Sequence, residues 1–173
     1  MTTNTVSATQ SWPFPRDNTQ GWAFARLVAA GMVAHMAWEI IARVFAPIWL
    51  GGPQEPQDVI QALPFFWFGV DPGYTLATAI HFLTGILLYP LGYRIVSTRI
   101  VTLGPVGDAL LVGIGTWVLA VGLFVSLAGF PPFLGFGATT WISLVGHTIY
   151  GFALVWADGR FAFSGVGTRM ARG

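Results

Sequence analysis

The chain contains no cysteine and no lysine. The first absence removes disulfides, thiolate metal sites, iron–sulfur clusters and cysteine nucleophiles together. The second leaves eight basic residues, all arginine, against seven acidic ones, for a net charge of +1. Such a balance builds no extended basic field to hold a phosphate backbone, so nucleic acid is set aside as a partner. Charge of either sign is scarce, at 9% of residues against 54% hydrophobic, where soluble domains carry about a quarter charged residues. A chain of 173 residues with this balance is suited to a lipid bilayer rather than to water. Also missing are a nucleotide-binding glycine loop, a serine elbow and a paired acidic motif. The terminal "GVGTRMARG" lacks the strand, lysine and helix of a phosphate loop. No catalytic residue is assigned on this reading, and a non-enzymatic role is favoured.

What the chain does have is four long apolar stretches, about 22–49, 74–95, 106–129 and 137–157. Crossing roughly 30 Å of hydrocarbon takes about 20 apolar residues in a helix. Lipid offers backbone groups no partners, so each crossing is expected to be helical. The expected fold class is therefore all-α, a polytopic membrane protein built as a four-transmembrane-helix bundle spanning residues 21–160. Residues 1–20 lack the basic and apolar regions of a secretory signal and read as a cytoplasmic tail, with Trp12 and Phe14 near the headgroups. Residues 161–173 read as a second cytoplasmic tail.

Arginine sets the direction. Arg16 and Arg26 precede or open the first stretch, Arg94 and Arg99 follow the second, and Arg160, Arg169 and Arg172 follow the fourth. Residues 50–73 and 130–136 hold none, and the longer of these connections carries Glu55, Asp58 and Asp71. Both termini are expected in the cytoplasm. The outer segment 51–73, bounded by proline and glycine and holding the aromatic run Phe65 to Phe68, reads as a short interfacial helix. It serves either as an aromatic anchor or as a lid or docking surface.

A shift of 66 residues pairs Gly69 with Gly135, His81 with His147, Gly85 with Gly151, Leu88 with Leu154 and Arg94 with Arg160. A shift of 78 pairs the exits "LGGP" at 50–53 and "AGFP" at 128–131. Two tandem helix pairs related by an axis along the membrane normal would produce both shifts. The stretches "HFLTGILLYPLGY" and "GHTIYGFALVW" in the second and fourth helices resemble a family of small, uncharacterised four-helix bacterial inner-membrane proteins. The resemblance implies architecture and location in a bacterial inner (cytoplasmic) membrane. It carries over no functional residue.

Ionisable groups inside hydrocarbon are costly and are functional candidates by default. His35, Glu39 and Arg43 stand four apart on one face of the first helix. By helical rise, Glu39, His81 and His147 are expected roughly 12 to 15 Å below the outer boundary, with His35 about a turn or more deeper. Glu39 is either the acid of an ion pair with Arg43 or a group for binding or proton movement. His81 and His147 either hydrogen-bond across the bundle, to Ser143, Thr78, Thr84 or a carbonyl, or hold a cofactor. Facing each other, they could supply both axial ligands of haem b. With Glu39 they make a two-histidine, one-carboxylate set for iron or another first-row metal. The cofactor candidates are thus His35, Glu39, His81 and His147, and the metal candidates Glu39, His81 and His147. Three functions follow in order: an accessory or assembly subunit of a larger membrane complex, a haem b or metal redox subunit, and a small transporter. The expected partners are the lipid bilayer and a membrane-protein partner or further copies of the chain.

Overall fold

A computed structural model describes residues 20–159, except residue 102 and the side chains of residues 20–23, 98 and 99. The expected tails, with Trp12, Phe14, Arg16, Arg160, Arg169 and Arg172, lie outside the described residues. Within them the protein is all-α, without a strand, and four helices are long and apolar enough to cross a membrane. These spans are Phe24–Leu50, Gly73–Ser97, Gly104–Leu127 and Ala138–Ala157. Their outward faces are apolar, with Met32, Ile48, Leu83, Ile114 and Trp156 all exposed. Small residues face inward: Ala34, Ala42, Ala77 and Ala109 are fully buried, which lets the backbones come close.

The first span packs on the second and the fourth, and the fourth packs on the third. Glycine sets the approach at two of these contacts. A side chain at Gly31 would meet the Ile86 carbonyl, and one at Gly151 would meet the Ala109 carbonyl. The second and third spans behave differently. They meet through Tyr89–Arg99 and Gly104–Trp117, beside their short connection, with no extended packing beyond it. At that same end the buried Asp158 carboxylate draws in Arg26 and Arg94, each 3.7 Å away, and so joins the first, second and fourth spans.

Three of the four spans contain a π-helical segment, Ile41–Phe45, Thr84–Leu88 and Val118–Phe124. Wider turns of this kind are uncommon and concentrate at functional sites. Two of these segments receive hydrogen bonds from outside their own helix. Ala42 O accepts the Gln54 backbone N–H at 3.1 Å, and Gly85 O accepts the Tyr150 hydroxyl at 2.6 Å. The π segments of the first and third spans coincide under the shift of 78 residues. So do five of their buried positions, Ala30, Gly31, Ala34, His35 and Trp38 answering to Asp108, Ala109, Val112, Gly113 and Thr116, whereas the buried Ala42 and Ala46 answer to Ala120 and Phe124, which are not buried.

The connection after the first span folds back over the bundle. Gly51 ends the first helix at φ 74°, a left-handed conformation that glycine adopts without strain. A helix, Pro56–Phe68, then runs across this end, and the Trp67 indole donates to Leu127 O at 2.8 Å on the third span. The third and fourth spans are joined by Pro132–Phe136, in which Phe133, Leu134 and Phe136 take positive φ. That conformation is unfavourable for residues with a Cβ. The turn is held by the Phe133 ring against Trp117 at 4.8 Å and by the Thr140 hydroxyl donating to Phe133 O.

Candidate functional site

Beneath the Pro56–Phe68 helix, a cavity of about 650 Å³ is lined by all four spans. Most of the lining is apolar, and its polar groups come from the first, second and fourth spans and, with Gln54, Glu55 and Asp58, from the connection over them. His35 and Glu39 share one face of the first span, being one helical turn apart. His81 comes from the second span and places Nε2 2.9 Å from Glu39 Oε1. Nε2 of His35 points at the same oxygen from 3.6 Å, beyond hydrogen-bonding distance. It is buried and has no hydrogen-bond partner, in a side chain only 2% exposed.

Gly85 makes room for that imidazole. A Cβ there would collide with the His35 ring, so the π segment beginning at Thr84 and a glycine within it together seat a first-span histidine against the second span. The His35 and His81 rings lie 4.8 Å apart. Their nitrogens and the Glu39 oxygen all fall within 4.8 Å of one another.

The second oxygen of Glu39 is held separately. Arg43 Nε donates to Oε2 at 3.2 Å, and the rest of the guanidinium reaches Glu55 and the Gln57 side chain. Tyr74 completes the chain by donating to Glu55 Oε2 at 3.2 Å. The arginine inside the span is thus paired on both sides, and the connecting helix is tied to the cluster. Glu39 is held in place by one oxygen while the other faces two histidines.

His147 does not join this group. The Trp38 ring touches both His81, at 5.2 Å between centroids, and His147, at 5.8 Å. The structure therefore brings together Glu39, His81 and His35 and puts a tryptophan in contact with both members of the expected His81–His147 pair. The reason is geometric: Trp38 is three residues from His35 and shares its inward face. Helical rise alone set His35 a turn away from His81, but the ring contact shows them level enough to touch. His147 instead places Nδ1 2.8 Å from Ser143 O, one turn earlier in its own helix.

Sequence reasoning did not single out Trp38, Gln57 or Tyr150. The signal for Trp38 was present in its spacing from His35. The role of Gln57 follows once Arg43, a cation within an apolar helix, is required to find partners beyond Glu39.

No family model, curated protein or solved structure matches this chain.

Proposed function

We propose that this is an integral membrane protein that holds a first-row transition-metal ion between His35, Glu39 and His81, with the open coordination positions facing the apolar cavity. The observation that carries the reading is the orphaned Nε2 of His35, a buried donor atom aimed at a carboxylate oxygen that already meets a second histidine. A buried polar atom without a partner costs about 1–3 kcal/mol, and a cation would satisfy it. Ligands about 2.1 Å from one ion stand about 3.0–3.4 Å apart at right or tetrahedral angles. About Glu39 Oε1 the separations are 2.9 Å and 3.6 Å, close to that range, and with the three ligand atoms within 4.8 Å of one another the two imidazoles would have to draw together on an ion. Two histidines and one carboxylate with vacant positions suit non-haem iron(II), whose protein-held redox chemistry needs those positions. Arg43 would orient Glu39 from behind, as outer partners of metal ligands do.

The test is elemental analysis of the full chain, purified in mild detergent from cells supplied with iron, manganese and zinc. Near one ion per chain is expected, reduced at least tenfold by His35→Ala and by Glu39→Gln. Cobalt(II) loading should give ligand-field bands that these variants lose. Metal-free protein from every supplemented culture overturns the reading. Zinc in place of iron keeps the site and removes the redox role.

The location follows the same proposal: a bacterial inner membrane, both termini cytoplasmic, and the helix-capped end of the cavity toward the other side. We also read the two helix pairs as copies of one unit, supported by the matching buried positions and π segments of the first and third spans. An accessory-subunit role retains one observation of its own. Phe65, Phe66, Trp67 and Phe68 are all more than half exposed at the end of the connecting helix. Copurification of a larger complex through that helix, abolished by replacing Phe66 and Phe68 with serine, would favour it.

A further inference from the structure

The proposed ion uses the first and second spans, whereas the fourth span brings to the cavity a polar group with no assigned task. Nδ1 of His147 lies 2.8 Å from Ser143 O, 3.3 Å from the Ser143 hydroxyl and 3.3 Å from the Trp38 indole nitrogen. The carbonyl and indole contacts cannot both be hydrogen bonds, since the carbonyl only accepts and the indole only donates, whereas the hydroxyl can do either. The shorter contact decides. An unprotonated nitrogen held 2.8 Å from a carbonyl oxygen would set two lone pairs against each other, so the proton is assigned to Nδ1 as a donor to Ser143 O. Nε2 of His147 is then a lone-pair acceptor in a residue that lines the cavity.

The surroundings of that acceptor define what it can take. Trp38, Tyr89, Phe124 and Tyr150 line the same cavity, and aromatic walls favour a flat ring. Pockets of about 300–1,000 Å³ hold small molecules, and this one measures about 650 Å³. The route in is lateral. Ile80 and Thr84 of the second span and Val121 and Phe124 of the third line the cavity where those two spans lack extended packing. The flank between them would face lipid, so a guest dissolved in the bilayer can enter without crossing water.

We propose that the cavity binds a membrane-borne amphiphile with a hydroxylated ring, a lipid-soluble phenol or quinol, whose hydroxyl donates to Nε2 of His147. Other guests fit the acceptor less well. A carboxylate head would bring acceptor against acceptor, in a cavity that the Glu55 and Asp58 carboxylates already line. A bare acyl chain leaves Nε2 without a donor. A fully oxidised quinone presents only carbonyls. The inference rests on the cavity and His147 and does not need the ion.

The test uses the full chain in lipid nanodiscs and three probes: a decyl-substituted benzoquinol under reducing conditions, its dimethyl ether and decanoate. Binding is followed by tryptophan fluorescence, Trp38 being in the cavity wall, and by native mass spectrometry. Saturable binding of the quinol is expected, with the ether at least about tenfold weaker for want of a donor. His147→Leu should remove that preference, and Val121→Trp should fill the cavity and abolish binding. Equal affinity for quinol and ether, preference for decanoate, or no saturable binding by the folded protein overturns the proposal. The ether comparison needs no variant, so a misfolded mutant cannot obscure it. Metal content is measured on the same samples. Quinol binding by metal-free protein removes the metal reading alone, and metal-loaded protein that ignores the quinol removes this inference alone.

Discussion

The two helix pairs each set a glycine against a neighbouring span and differ in what that glycine receives. In the first pair, Gly85 of the second span receives the imidazole of His35 from the first. In the second pair the equivalent glycine, Gly151, receives the backbone at Ala109 and Gly113 instead. Under the shift of 78, Gly113 stands where His35 does and Trp117 where Glu39 does. One pair closes glycine to backbone and becomes a tight helix contact. The other spends the same space on a histidine and gains a polar cluster. The interfaces between the pairs differ as well. An exact two-fold would make the first–fourth and second–third contacts equal, but the first–fourth contact is extensive and the second–third contact is confined to one end. Residues of both the second and the third span line the cavity where that contact is missing.

The sharpest way to break the comparison is to add one methyl group at each equivalent glycine. Gly151→Ala sets a Cβ against a carbonyl and the Gly113 backbone, which can yield only if the third and fourth spans separate. Overpacking of this kind costs about 1–3 kcal/mol, and the upper end is expected here because the obstacle is main chain. Thermal unfolding in detergent checks it. Unchanged stability would mean that the close contact does not hold the second pair together.

Gly85→Ala meets a side chain rather than a backbone, so the ring can turn away. Its expected cost in stability is smaller than at Gly151, and its main effect falls on His35. Displacing that ligand should weaken metal affinity about 10–100-fold, the scale seen when groups that orient ligands are lost. Isothermal titration with cobalt(II) measures it. A Gly85→Ala protein with full metal affinity and the stability loss of Gly151→Ala would erase the difference between the pairs.

Much of this frame can be read from the chain. The four apolar stretches expected at about 22–49, 74–95, 106–129 and 137–157 agree with the helices to within a few residues, because hydrophobic length alone is nearly sufficient to mark a crossing. The identities that suggest the registers of 66 and 78 residues are read there too. The π segments are not, since no residue pattern distinguishes "TGILL" or "IARVF" from ordinary helix. Depth estimated from helical rise assumes parallel rods and carries no rotation about the axis, so it grouped His147 with Glu39 and set His35 apart. The role of Glu55 and Gln57 was hidden for another reason. A polar connection reads as solvated, and only the demand of Arg43 for partners pulls it onto the cluster.

Tyr150 links the pairs and gives a smaller effect. Its hydroxyl leaves the fourth span to bond Gly85 O within the second-span π segment, at 2.6 Å. Tyr150→Phe removes one buried hydrogen bond, at about 1 kcal/mol by the usual net value. The vacated carbonyl is beside the His35 seat, so a modest fall in metal affinity should accompany the loss in unfolding temperature. A loss of stability with no change at the metal would show that the π segment keeps its shape without the tyrosine.

The smallest expected effect tests the cover over the cavity. The Pro56–Phe68 helix is tied at its start by Glu55 and Gln57 to Arg43 and near its end by the Trp67 indole to Leu127 O. The first tie involves charges and is partly buried, whereas the second is exposed to solvent or headgroups. Opening should therefore begin at the Trp67 end. Trp67→Phe keeps the ring and deletes the donor, at about 0.5 kcal/mol for an exposed neutral bond, which shifts a local opening equilibrium about twofold. The absence of cysteine makes this measurable, since a single Leu63→Cys substitution places a unique thiol in the cavity lining. Maleimide labelling of that thiol should run about twice as fast in the Trp67→Phe background, consistent with the shifted equilibrium. Global stability should stay within about 0.5 kcal/mol, as expected for a surface change. Equal labelling rates would mean that the helix opens elsewhere, with Trp67 only seated on the third span, and the cover would then have to hinge at Arg43.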